Sequence, residues 1–123
     1  MKLRFRKNSL RLRVNQAEVT GLASGTVLEE QVHFPGNASM SYVLEPSAVS
    51  APSASFQQGV IRVAVPRSRF TEWARSADIG IYFDLPANGS SLRVAIEKDL
   101  ECVDGPVEER DPDAFPRGAE KVC

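Results

Sequence analysis

The apolar pattern of this chain predicts a mostly β domain with two short helices, built as an internal duplication of a strand-strand-helix-strand-strand (ββαββ) unit. Three observations carry the expectation. Apolar residues alternate with polar ones in a series of short runs; helical spacing follows Asn15 and Pro66; and the second half repeats the order of the first at an offset of about 51 residues. Each unit has one apolar sheet face that it cannot bury alone. The two should therefore close a small barrel or a two-layer sheet around one shared core.

Residues 2–6 (Lys-Leu-Arg-Phe-Arg) and the run Leu10, Leu12, Val14 alternate with period two, giving two half-buried strands joined at Lys7-Asn8-Ser9. Asn15 with Glu18 three residues on has capping-box spacing and predicts a helix start, with Val19 and Leu22 on one face. Gly21 weakens this helix and Gly25 stops it. Leu28, Val32 and Phe34 form the third strand, with Glu30 misplaced on its apolar side. Pro35-Gly36-Asn37 turns the chain, and Met40, Tyr42 and Leu44 return.

Residues 46–55 are small and proline-punctuated, the composition of a linker. The order then begins again: Phe56; Ile61, Val63 and Val65; a helix after Pro66 with Phe70 and Trp73 on one face; Ile79 to Leu85; a turn at residues 86–90; Leu92, Val94 and Ile96. Counting pairs Leu10 with Ile61, Leu12 with Val63, Val19 with Phe70 and Leu22 with Trp73. It also pairs Leu28 with Ile79, Val32 with Phe83, Phe34 with Leu85, and Tyr42 with Val94. The organisation is thus residues 1–50, residues 51–101 and an acidic, irregular tail over 102–123, the two repeats forming one domain.

Composition narrows the function classes. The 123 residues carry 15 Lys and Arg against 16 Asp and Glu, so the chain as a whole is no polycation for nucleic acid or an anionic membrane. No apolar run reaches the ~18 residues of a membrane span, and the Met1 end lacks a signal-peptide core. Two cysteines, Cys102 and Cys123, do not make a disulfide scaffold, which points to the cytoplasm. Asn37-Ala-Ser39 and Asn88-Gly-Ser90 fit the glycosylation pattern but read as polar turns.

Chemistry-bearing constellations are few. His33 is the only histidine, and with no CxxC pair it predicts no metal site. No nucleophile elbow or glycine-rich phosphate loop occurs, so neither a catalytic residue nor a cofactor is expected and the chain reads as a non-enzyme. Glu97, Asp99 and Glu101 alternate and share a face that could hold a hard cation, though such carboxylates are usually solvated. Phe70, Trp73 and the two tyrosines fit core packing better than a stacking platform.

The strongest candidate is Arg4, Arg6, Arg11 and Arg13, which share the polar phase of one hairpin and form an anion- or partner-binding face. From residue 97 onward nine acidic residues face four basic ones, so tail-to-hairpin pairing is the competing reading. Asp113, Phe115 and Pro116 are candidate tail contacts, a short anchor for a partner or for the domain's own groove.

The basic hairpin Ser9-Leu-Arg-Leu-Arg-Val14, and Ile61-Arg-Val-Ala-Val-Pro66-Arg67 before its helix, resemble the swapped-hairpin module of AbrB-type transition regulators and MazE-type antitoxins. The sequence departs from that pattern where a Gly-Asp step normally follows the helix: Gly25-Thr26 stands in one half and Ala77-Asp78 in the other. Over nearly its full length the chain also looks like a group of short bacterial proteins of unknown function. The likeness lies in Met1-Lys-Leu-Arg, Asn8-Ser-Leu-Arg-Leu-Arg13, Ile96-Glu-Lys-Asp99 and Asp113-Ala-Phe-Pro116. The resemblances imply a bacterial protein. The acidic total charge and the altered Gly-Asp steps make a protein-interaction module the first expectation. The duplicated hairpin with arginines on one face keeps a DNA-binding regulator as the alternative. Nucleic acid is disfavoured by the overall charge, and the expected state is a monomer or weak homodimer.

Overall fold

The computed structural model describes residues 1–100 and 111–116. Its elements are β1 (Lys2–Arg6), β2 (Ser9–Val14), α1 (Gln16–Ala23), β3 (Leu28–Phe34), β4 (Ala38–Ser47), β5 (Ser53–Gln57), β6 (Val60–Pro66), α2 (Arg67–Ala74), β7 (Gly80–Ala87) and β8 (Ser90–Lys98). Cys102, Cys123 and Glu101 lie outside the described residues, as do most of the tail's acidic side chains. Among the described residues no helix is long and apolar enough to cross a membrane.

The strands form two four-stranded sheets, ordered β1-β2-β8-β7 and β3-β4-β6-β5. Each sheet takes one hairpin from each half of the chain, joined at its centre by a parallel pair. Ser9 lies opposite Arg93 in one sheet, and Val60 opposite Ser41 in the other. An offset of 51 residues carries Ser9 to Val60, and one of 52 carries Ser41 to Arg93, so the central registers correspond residue for residue. The fold is therefore the two-layer form of the expected architecture, and no closed barrel is present: β1, β7, β3 and β5 are all edges.

Alternation places the core between the layers. Leu10, Leu12, Val14, Val94, Ile96 and Ile81 come from one sheet, and Ile61, Val63, Val65 and Leu44 from the other. α1 packs on α2, α1 rests against β4 and α2 against β4 and β6, and Val19, Leu22, Phe70 and Trp73 are buried. Full burial of a side chain such as Phe70 contributes about 1.5–3 kcal/mol.

The two helices start differently. Asn15 accepts from the Glu18 N–H at 2.9 Å while the Glu18 carboxylate accepts from the Asn15 N–H at 2.9 Å, a complete capping box. α2 begins at Arg67 after Pro66, which stands at the cap in extended backbone (φ −51°, ψ 134°) and makes no side-chain cap bond. α1 ends in a Schellman turn: Thr26 N–H donates to the Gly21 carbonyl and Gly25 N–H to that of Leu22, with Gly25 at φ 95°.

Two expectations need correction. The 46–55 stretch is not a linker throughout: β4 runs to Ser47 and β5 starts at Ser53, because Pro46 and Ser47 pair in register with Val65 and Pro66. The β3 and β7 positions pair differently from the simple count. Phe34 lies opposite Ala38 across a three-residue turn, whereas Ala87 lies opposite Ser90 across the two residues Asn88-Gly89. Leu28 thus corresponds to Ile81, Val32 to Leu85 and Glu30 to Phe83; the extra residues sit between α2 and β7. Residues 111–116 form no helix or named strand but dock on the body, and Leu100 bridges in parallel to Phe115.

Candidate functional site

The four predicted arginines meet on the outer face of the β1-β2-β8-β7 sheet. Arg4 lies directly opposite Arg11, and Lys2 opposite Arg13. On β8, Ala95 stands beside Arg11 and Glu97 beside Arg13; on β7, Tyr82 stands beside Ala95 and Asp84 beside Arg93. The face therefore presents Lys2, Arg4, Arg6, Arg11, Arg13 and Arg93 around three carboxylates, Glu97, Asp84 and Asp99, a surplus of three positive charges.

Glu97 organises the centre. One of its carboxylate oxygens lies 3.1 Å from Arg11 Nε and 3.9 Å from Arg13 Nε, and the other accepts from the Tyr82 hydroxyl at 2.8 Å. Burial and the bond to the Glu97 carboxylate push the Tyr82 phenol up to about 12, and Arg11 opposes the shift. Tyr82 lies back over Gly80: a Cβ at Gly80 would stand 2.6 Å from the tyrosine oxygen, so a side chain there would displace the ring. Arg93 pairs with Asp84 at 3.3 Å, and Lys2 reaches the largely buried Asp99 at 2.8 Å. Among the described residues Arg4 and Arg6 enter no ion pair. Directly opposed like charges destabilise a sheet, each pair by about 0.2–1 kcal/mol, and Glu97 offsets this for Arg11 and Arg13 only.

The other sheet supplies a control. Where Lys2, Arg4, Arg6, Arg13 and Arg93 stand in one register, Ser53, Ser55, Gln57, Ala64 and Ser41 stand in the other. Only Arg62 and Glu45 repeat the Arg11–Glu97 arrangement, paired at 3.3 Å. The same backbone is cationic on one layer and nearly neutral on the other.

The predicted tail contacts lie elsewhere. The Asp113 carbonyl accepts from Gln16 N–H at 3.1 Å and its carboxylate from Ala17 N–H at 3.0 Å, placing negative charge on the first turn of α1. Asp111 accepts from the Asn15 amide at 2.9 Å, and that bond, with the Asp113 N–H, holds its carboxyl below the usual range. Phe115 donates its N–H to the Asp99 carbonyl at 2.7 Å, and its ring faces Lys98 Nζ at 5.5 Å; Trp73 flanks the same ammonium at 5.6 Å. Lys98 also donates to the Ser76 carbonyl at 2.8 Å, and burial lowers its pKa. Pro116 is exposed. The described part of the tail thus sits at the start of α1, not across the arginines.

No three of His, Cys, Asp and Glu gather as a metal-ligand set among the described residues. His33 stands exposed on β3, Glu97 serves the arginines and Asp99 serves Lys2. Sequence reasoning missed Lys2, Arg93 and Tyr82 at this surface. Tyr82 does not pack in the core: alternation with Ile81 and Phe83 turns it outward, a signal readable in the sequence, whereas the approach of β8 to β2 is not local.

Comparison with curated proteins and with solved structures finds no match. A protein-family model does match, over residues 1–119, and the chain belongs to that family: DUF7009, a family of unknown function.

Proposed function

We propose that this protein is a non-enzymatic binding module of the bacterial cytoplasm, and that its contact surface is the cationic outer face of the β1-β2-β8-β7 sheet. Its partner is a protein presenting clustered carboxylates. One observation carries the reading: two faces with corresponding registers differ by a block of cations that the fold does not need. Five of the six cations are arginines, whose planar forks suit bidentate carboxylate contacts. Glu97 and Tyr82 hold the central pair in place, so Arg4 and Arg6 remain to meet a ligand.

A second reading is a DNA-binding regulator of the AbrB type. It is supported by the exchange of hairpins between the halves and by arginines on one of them. The acidic balance of the chain and the carboxylates within the face favour the protein partner.

Anisotropy titrations at about 0.15 M salt separate the two, using a labelled ten-residue Glu/Asp peptide and a 20-base-pair duplex. The expected result is that the full chain binds the peptide, that Arg4→Ser with Arg6→Gln weakens it by about tenfold, and that the duplex does not bind. Duplex binding whose log-affinity falls by close to one unit of slope per phosphate, lost in the same variant, would establish the regulator instead. Binding of neither ligand removes this face from consideration.

A further inference from the structure

Four strands border the two sheets, and one of them is unguarded. β1 carries Lys2, Arg4 and Arg6; β3 carries Glu29, Glu30 and His33; β7 carries Asp84 and Pro86. Charges and proline are the usual devices that keep an edge from pairing with another chain. β5, Ser-Ala-Ser-Phe-Gln, has neither, and its Phe56 is 71% exposed, the most exposed large apolar side chain of the described fold.

We propose that β5 is a self-association edge, at which two copies of this chain join antiparallel into one continuous eight-stranded sheet. The register follows from the hairpin. Gln57 and Val60 flank the two-residue turn Gln58-Gly59, where φ is 52° and 74°. In such a hairpin the flanking pair exchanges both its hydrogen bonds, and alternate residues do likewise. Ser53 and Ser55 therefore spend their backbone groups on β6, while the N–H and C=O of Ala54 and Phe56 point outward. A two-fold axis at Ser55 sets Ala54 opposite Phe56 of the other copy, twice, and these two pairs make four backbone hydrogen bonds.

The side chains suit the same register. Ala54 and Phe56 share the inner phase, so each large exposed ring lies over a small residue of the second copy. On the outer phase Ser53 meets Gln57 and Ser55 meets Ser55, all uncharged. The same operation on β1, which holds the corresponding place in the other sheet, would set Arg4 against Arg4 and Lys2 against Arg6. That contrast selects a second copy at β5 and excludes one at β1.

Equilibrium sedimentation of the full chain tests this. From about 1 μM to about 0.3 mM the wild type should move from the 13.5 kDa monomer toward twice that mass. Ser55→Lys and Ser55→Glu, each folded by circular dichroism and each on the exposed phase, should weaken association at least about tenfold. An equimolar mixture of the two should recover it, because opposite charges then meet at the axis. Phe56→Lys, at an exposed position, should also dissociate the pair. A wild type that stays monomeric to about 0.3 mM overturns the proposal. So does a Ser55→Lys variant that associates like wild type. The arginine-face readouts do not depend on these outcomes.

Discussion

The hairpins β1–β2 and β5–β6 occupy corresponding places, with the same inner apolar phase and two-residue turns. Yet one carries five cations on its outer phase and the other carries Arg62 alone. The inner phase is what the fold reads: Leu10 and Ile61, Leu12 and Val63, Val14 and Val65 are buried alike. The outer phase is free to differ, and it does: a cationic face on one sheet and an uncharged edge on the other. Shared architecture thus identifies which residues are structural, and the difference between the layers isolates those that are not.

If one core serves both halves, damage to either should be felt by the whole. Leu22→Ala in α1 should cost about 2–5 kcal/mol and Trp73→Ala in α2 about 3–5 kcal/mol, each in a single urea transition followed by circular dichroism. Two separate transitions in either variant would show that the halves unfold independently, and would break the comparison.

The helix starts should respond unequally. Asn15→Ala removes the α1 cap and the contact with Asp111, so a loss of about 1–2 kcal/mol is expected in the same assay. α2 has no such side chain to lose, since Pro66 makes no cap bond. An unchanged midpoint for Asn15→Ala would mean that the capping box and the docked tail contribute nothing.

The subtlest expectation concerns the centre of the cationic face. Tyr82 should form phenolate only near pH 12, followed by its ultraviolet absorbance, and Glu97→Gln should bring that midpoint down. With the folded value raised above the ordinary 10, the native chain keeps a proton that the unfolded chain releases. The resulting stabilisation is complete below pH 10 and is lost as pH climbs through about 12. A Tyr82 that titrates near 10 would detach the tyrosine from Glu97.

Local chemistry was legible in the sequence. Asn15 and Glu18 gave the α1 start, Gly25 its stop, and period-two runs gave every strand but β5, because each depends on neighbours a few residues apart; most of β5 lay inside the stretch read as a linker. Hairpin partnership was less so. Ile79, Ile81, Phe83 and Leu85 alternate over four apolar positions, so the pattern fits the Leu28 strand equally well in two alignments. Only the turn lengths decide between them. Of the site, the arginine set came from alternation. Glu97, Tyr82 and Arg93 joined it through a β2–β8 pairing that no local pattern encodes. The docking of Asp113 likewise depends on a contact with Ala17, almost a hundred residues away in sequence.

The strand order also schedules the folding of the newly made chain. The sheet β3-β4-β6-β5 comes from one continuous stretch, Leu28 to Pro66, and can assemble as soon as that stretch is free. Its counterpart is made from the chain's two outer portions: Ser9 waits for Arg93, 84 residues later. At roughly 5–20 residues per second of synthesis, the arginine hairpin spends on the order of 4–17 s with β2 unpaired on its inner edge. Throughout that wait the hairpin carries Lys2, Arg4, Arg6, Arg11 and Arg13, side chains of the kind that discourage pairing with another chain.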